Sequence, residues 1–489
     1  MGQVPIVDQL INLKKQDIVS FHVPGHKSGN IYSRFNYKNF KQVLVDIDTT
    51  EIPGTDNLHK SDGCIKEAQL RAAEVFSSEE TFFLVNGSTS GIYSMIMAAT
   101  KPGDKVIVGR NCHQSVINSI FLGDLQPIYI YPEVDKHQGI ALGISPCSIE
   151  RLIQDNPDVK AVLITYPTYQ GIACSLKKIS DIVHKYDKIL LVDEAHGAHL
   201  GLSNRLPDTA LKCGADAVVQ STHKSLPALT QSSMLHIQGN RIDRDKLRFM
   251  LRMHQSSSPS YILMASLDMA TMIYKSKGKQ LMEELLENIE YLKIKLQKVV
   301  GLDILGEEIV GRNYVEAVDP TRLWISMQQY NVSGHQLEQQ LREKFHIQME
   351  LSNLYGTLAI TTIGNQKRDF DRLYKGIYEI GKGLKVIKSE KTSYSSYSTP
   401  KVVYSPKEAF YSNKMTLPID NSEGFISGEY IIPFPPGIPL VIPGEVISNE
   451  IIQNLKAMKE EGIEILGLKH NNCEYIDVID NELVPATMR

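Results

Sequence analysis

Ile189-Leu190-Leu191-Val192-Asp193-Glu194-Ala195-His196-Gly197 and, further along, Ala217-Val218-Val219-Gln220-Ser221-Thr222-His223-Lys224 decide how this chain folds. Each opens as a short apolar run and ends in polar residues, as expected of a strand buried on both faces that stops at a sheet edge. Working outward, similar runs recur at Thr81–Val85, Lys105–Val108, Pro127–Tyr131 and Ala161–Thr165, with amphipathic helical stretches between most of them. Strands alternating with helices predict an α/β fold with a mostly parallel sheet covered on both faces. Right-handed crossovers bring the strand C-termini to one edge. In open α/β sheets that edge carries the ligand site.

The chain has 489 residues, too long for one core, which predicts two or three domains. The divisions read as an N-terminal arm over 1–60, a large domain over 61–300 and a small α+β domain over 301–388. A polar linker over 389–400 and a C-terminal domain over 401–489 complete the chain. A long helix is expected over about 260–300. A net charge of −4 gives no reason to expect nucleic acid or an anionic membrane as partner. The six cysteines include no CxxC pair, consistent with reduced thiols in a cytoplasmic protein. The N-terminus lacks a basic region leading into an apolar core, so no secretory leader is expected. Ile6, Leu10 and Leu13 instead predict a short amphipathic helix. No run of about 18 apolar residues suggests a membrane span.

Lys224 follows an apolar strand and lies among hydroxyls and a histidine, while Asp193 ends another strand 31 positions earlier. Pyridoxal phosphate (PLP) needs an amine to hold its aldehyde and an acid to keep its pyridine nitrogen protonated. A partly buried lysine has a depressed pKa and becomes nucleophilic. Ala195 is small enough to pack against a flat ring. Asn86-Gly87-Ser88-Thr89-Ser90-Gly91, between a strand and the helical run Ile92–Ala99, offers free N–H groups and hydroxyls to a phosphate. The plainer reading of that segment is a helix N-cap. His113 follows the strand Lys105–Val108 and so falls on the same edge, where its ring could stack on a cofactor. His196 and His199, with Asp193 or Glu194, raise a metal site as an alternative. Their spacing is not the i, i+4 pair of helical zinc sites, so no metal is expected.

Taken with FHVPGHKSG (21–29), DIDTTEIPGTDNLH (46–59), FFLVNGSTSG (82–91), GRNCHQS (109–115), YPTYQG (166–171), LVDEAHGAHLG (191–201), STHKSLPALTQSS (221–233) and FPPGIPLVIPGE (434–445), the chain resembles the Orn/Lys/Arg decarboxylase family. It resembles the short bacterial members, which lack an N-terminal wing domain. The resemblance implies the PLP-dependent transferase fold type I (aspartate-aminotransferase-like), with 61–300 as the PLP-binding domain. It implies Lys224 as the Schiff-base lysine, Asp193 as partner of the pyridine nitrogen and His113 as the stacking residue. Ser88, Thr89, Ser90, Ser221 and His223 become phosphate ligands. Ala195 lies under the ring, with Thr168 and His196 close by.

The implied reaction is decarboxylation of a basic L-amino acid, arginine ahead of lysine or ornithine, with Lys224 or His223 returning a proton to Cα. A cationic side chain should meet acids, and the loop residues Glu51 and Asp56 are the candidates, facing this site or that of a partner subunit. The resemblance further implies a homodimer. Two readings compete: aminotransfer or aldol cleavage at the same site, with Arg342 or Arg368 taking the substrate carboxylate, and a PLP-binding protein without turnover.

Overall fold

The computed structural model describes residues 4–35, 40–386, 399–434, 438–460, 462–470 and 473–480. Its central sheet has seven strands: β1 (Glu80–Leu84), β2 (Lys105–Gly109), β3 (Gln126–Ile130), β4 (Ala161–Thr165), β5 (Ile189–Asp193), β6 (Ala217–Gln220) and β7 (Ser233–Ile237). They lie in the order β1-β7-β6-β5-β4-β2-β3. The strand β7 runs antiparallel to both β6 and β1, and the other six point one way. The six strands read from the sequence all form. The seventh was hidden by the polar Ser233 and His236. In the fold His236 is fully buried because both ring nitrogens have partners: Nδ1 lies 2.8 Å from Thr81 Oγ1 and Nε2 lies 3.1 Å from Gln220 Oε1.

Side chains alternate across this sheet into two cores. Val106, Val108, Leu163, Leu191 and Val219 face α3 (Gly87–Ala99) and α4 (Gln114–Gly123). Ile107, Val162, Ile164, Leu190, Val192 and Val218 face the other side. That side is covered by α2 (Cys64–Phe76), α5 (Pro146–Asp155) and α6 (Leu176–Lys185). The first core is completed by α7 (Arg244–His254) and the second by α8 (Tyr261–Ile273) and α9 (Lys279–Leu296). The long helix expected over about 260–300 forms as a continuous helical run over 261–296, in which a π-helical segment, Tyr274–Gly278, links α8 to α9.

The N-terminal segment is laced to both halves. The helix α1 (Pro5–Lys15) forms as expected, but Ile6, Leu10 and Leu13 stay exposed in the single chain. Val19–Ser20 pairs in parallel with Ile347–Gln348. The Gly25 N–H donates to the His223 carbonyl at 2.7 Å. A Cβ at Gly25 would come within 2.6 Å of the Leu226 carbonyl oxygen, so only glycine lets this loop lie against the lysine-bearing turn.

A second sheet holds β8 (Asp303–Ile304), β9 (Arg322–Ser326), β10 (Leu351–Ser352) and β11 (Thr357–Ile360), antiparallel in the order β8-β9-β11-β10. Against it lie α10 (Gly334–Phe345), started by a Ser333/Gln336 capping box, and α11 (Lys367–Gly381). Residues 387–398, most of the expected linker, lie outside the described residues, as do 435–437 of the Pro-rich motif. The C-terminal part comprises α12 (Pro406–Tyr411), β12 (Lys414–Pro418) paired with β15 (Tyr475–Ile479), β13 (Ile432–Phe434) paired with β14 (Glu464–Leu466), and α13 (Asn449–Glu460). It has its own apolar cluster around Val441, Ile451, Leu455 and Ile476, but Ile442 inserts into the core beneath α3 and α4.

Candidate active site

Because the six parallel strands end on one side, the turns after them meet there. Asp193 closes β5, and Ser221 to Lys224 come directly after β6 in a single helical turn. Lys224 Nζ lies 3.1 Å from His196 Nε2 and 5.8 Å from the centre of the Tyr169 ring. Burial pulls the Lys224 ammonium pKa below its ordinary value, and the nearby Asp193 charge only partly offsets this. Asp193 is buried, which raises its carboxyl, while Lys224 and the Ala195 N–H (3.1 Å from Oδ1) act in the opposite sense.

Three imidazoles surround the amine. Burial and Lys224 lower His113 to about 4 and hold His196 well below 6.5. Burial, partly countered by a hydrogen bond at Ser232, lowers His223 to about 4. All three are neutral at pH 7, so none competes with Lys224 for positive charge. His113 caps α4: its Nδ1 accepts from the Ser115 N–H at 3.2 Å. The residue is solvent-exposed in the single chain. His223 Nδ1 lies 2.9 Å from the Ser232 carbonyl, which leaves Nε2 open.

Gly87, at φ +74°, turns the chain from β1 into α3, whose first turn has no side-chain cap. Ser88 and Ser221 meet here, with their hydroxyls 2.8 Å apart. Thr89 is half-buried beside them in sequence. The Ser90 hydroxyl instead donates back to the Gly87 carbonyl at 2.8 Å, so Ser90 offers chiefly its backbone N–H. Thr168 is likewise engaged: its Oγ1 accepts from the Ile172 N–H at 3.1 Å and closes the turn after β4.

Asp56 is engaged by its own chain. Its carboxylate accepts the backbone N–H groups of Asn57, Asp62, Gly63, Ile65 and Lys66, and so organises the start of α2. These bonds lower its pKa despite the opposing effect of burial. Glu51 differs: its Oε1 is buried without a hydrogen-bond partner. Arg342 and Arg368 do not approach the site. The first reaches Gln16 at 3.3 Å and the second is largely exposed beside Asp369. The His196 and His199 rings do not converge on one point: His196 Nε2 faces Lys224 Nζ at 3.1 Å, while His199 Nε2 lies 2.9 Å from Asp319 Oδ2.

Three residues escaped the sequence reading. Arg322, on β9, is buried, donates from Nη2 to the His196 carbonyl at 2.7 Å, and sets its Nε 3.9 Å from Asp319 Oδ2 without a hydrogen bond. A charged residue opening the apolar run Leu323-Trp324-Ile325 was the available signal. The Tyr169 ring packs on His196 with centroids 4.1 Å apart, and its hydroxyl donates to Glu350 Oε1 at 2.5 Å. Glu350 Oε2 accepts from the Val23 N–H at 2.8 Å. Nothing local in the sequence marks Glu350, which the second sheet carries in from afar.

A sheet with one antiparallel strand, an aspartate closing β5 and a lysine on the turn after β6 define the fold type I, aspartate-aminotransferase-like class. Among solved structures, lysine decarboxylase A from Pseudomonas aeruginosa superposes with a TM-score of 0.77 at 22% identity, covering 97% of this chain and 80% of that one. The ureidoglycine-glyoxylate aminotransferase of Bacillus subtilis gives 0.55 at 12% identity, covering 71% of this chain and 91% of that one. The Orn/Lys/Arg decarboxylase major-domain profile matches residues 4–369, and the C-terminal-domain profile of the same family matches residues 388–472. An arginine decarboxylase of Bacillus subtilis is 36% identical over 482 residues, 98% of each chain. The lysine decarboxylase LdcA of Pseudomonas aeruginosa is 24% identical over 555 residues, 90% of this chain and 73% of that one. The chain belongs to the Orn/Lys/Arg decarboxylase family. It is a decarboxylase, and its family is PLP-dependent.

The residues present fit that cofactor. Buried polar atoms without partners cluster around the lysine and aspartate: His196 Nδ1, Thr222 Oγ1, Ser225 Oγ and, paired in register with Asp193, Thr165 Oγ1. The Ser88/Ser221 hydroxyls and the start of α3, which has no side-chain cap, suit a phosphate, and the His113 ring suits a flat heterocycle.

Proposed function

We propose that this chain decarboxylates L-arginine to agmatine, a polyamine precursor, with PLP held by Lys224. The observation that carries the site reading is the half-buried Lys224 amine beside Asp193 and three neutral imidazoles. The arginine decarboxylase relative, similar over its whole length, supports arginine over lysine or ornithine. In this reading the cofactor supplies an electron sink. Asp193 holds a proton at the ring nitrogen. Ser88, Thr89, Ser221, His223 Nε2 and the first N–H groups of α3 bind the phosphate. His113 covers one ring face and excludes water, while Ala195 packs beneath the other.

Lys224 Nζ or His223 returns the proton to Cα; burial holds the Lys224 ammonium below its ordinary pKa, which favours its giving up a proton. Arg322, whose Nε lies 3.9 Å from Asp319 Oδ2, is a guanidinium close enough to Lys224 to lower its pKa. Glu350 and Glu51 are the acids available to a cationic side chain. The working unit is read as a cytoplasmic homodimer, which the fold class and the exposed apolar side of α1 support.

Purified protein with PLP and arginine, lysine or ornithine tests this. CO₂ with agmatine is expected. Cadaverine or putrescine in its place would reassign the substrate, and a keto acid without CO₂ would mean transamination. Borohydride should fix PLP covalently to the wild type and not to Lys224→Ala. Trapping in that variant would sink the assignment.

A further inference from the structure

One buried ion pair joins the C-terminal part to the large domain. Arg110, just after β2, forks onto Glu445: Nε–H donates to Oε1 at 3.0 Å and Nη2–H to Oε2 at 2.8 Å. Nη1–H donates to the Pro439 carbonyl at 2.7 Å, and Glu445 Oε2 also accepts from the Ile442 N–H at 2.9 Å. The side chains are 4% and 0% exposed. The Arg110 guanidinium carbon stands 5.6 Å from the centre of the Tyr129 ring. Such a pair adds little net stability over well-packed apolar residues, because both charges are desolvated. What it does supply is direction, since the planar fork fits one carboxylate in one orientation.

That direction matters because Arg110 lies three residues before the cap of α4. Asn111 and Cys112 are both buried, and the Cys112 N–H donates to the Gly109 carbonyl at 3.1 Å, so the segment has little freedom. The next residue is His113, the cap itself. The far end of α4 is also held by the C-terminal part, where Phe121 packs edge-on against Phe410 at 5.3 Å and stacks with Tyr411 at 6.3 Å. The helix that presents the imidazole is thus gripped at both ends by the C-terminal part, which lies outside the candidate site.

We propose that Glu445, acting through Arg110, is a positioning residue that fixes the His113 ring against the cofactor. This rests on the proposed function only in taking His113 as the ring that covers PLP. The tests use the full-length protein: Glu445→Gln, the apolar double variant Arg110→Met/Glu445→Leu, and each combined with His113→Ala. The double variant removes both charges together, so it keeps the domains packed even if Glu445→Gln alone unfolds.

Three readouts apply: PLP affinity by fluorescence titration, kcat against KM, and hydrogen exchange at the His113 ring C2 in cofactor-free protein. The double variant should melt near the wild type, bind PLP about 10-fold more weakly and lose about 10- to 100-fold in kcat with KM little changed. Its His113 exchange should depart from the wild type, and it should add no loss in the His113→Ala background. Wild-type kcat, PLP affinity and His113 exchange in a folded double variant would overturn the proposal. So would losses that multiply with those of His113→Ala. Failure of the wild type to trap PLP at Lys224 would refute the functional reading instead, and the His113 exchange result would still decide the positioning claim.

Discussion

Asp193 and Glu194 are adjacent acids in opposite surroundings. Asp193 faces the ligand edge beside Lys224. Glu194 faces the other way, where Oε1 accepts from the Ala210 N–H and Oε2 from the Gln220 side-chain amide, both at 2.7 Å. Asp193→Asn should keep PLP but lower kcat on the order of 10²–10³-fold, because it removes a preorganised charge from the reacting system. Near-normal turnover would contradict its role. Burial pushes Glu194 up to about 8 from 4.5, and its two hydrogen bonds offset this only in part. The folded state therefore holds a proton that the unfolded chain releases above 4.5. The associated stability is complete below about pH 4.5 and is lost as pH rises through about 8. Glu194→Gln should flatten that decline, with a gain on the order of 2–5 kcal/mol at pH 9 that vanishes below pH 5. Thermal melts across this range check it, and parallel pH profiles for both proteins would refute it.

At the scale of elements, strand ends set chemistry and helix starts set the binding groups. The turn after β6 carries the lysine, the start of α3 is left without a side-chain cap, and the start of α4 is capped by a histidine. The start of α2 is different, because Asp56 satisfies its N–H groups directly. Asp56→Ala should therefore cost about 1–2 kcal/mol of stability, as loss of a cap does. It should leave KM for arginine unchanged in protein that stays folded. Urea unfolding and steady-state kinetics separate the outcomes, and a large rise in KM with unaltered stability would mark Asp56 as a substrate acid.

Over the whole molecule, the domains share cores. Ile442 belongs by sequence to the C-terminal part, yet it packs with Ile92, Val116 and Ile117 under the main sheet. Ile442→Ala should cost about 2–5 kcal/mol. It should also lower the melting of the large domain together with that of the C-terminal part, in one transition. A separate early transition confined to the C-terminal part, with wild-type melting of the rest, would show that the two are not coupled.

The sequence alone determined the parallel strands, the shared edge and the polar residues after each strand, because strand period and turn chemistry are local properties. It carried Asp193, Lys224, His113 and the Ser88 turn for the same reason. The antiparallel β7 was not legible, since His236 reads as polar until Thr81 and Gln220 are brought to its two nitrogens. The cap that Asp56 makes was not legible, because five backbone N–H groups converge on it only after the loop closes. Arg322 and Glu350 reach His196 and Tyr169 through a second sheet far away in the chain, and Glu445 reaches Arg110 across 335 positions. Such pairings come from packing, in which buried charges are brought to partners that no local pattern specifies. Which acids lie near His196 and Tyr169 and which carboxylate pairs with Arg110 were therefore decided by tertiary structure alone.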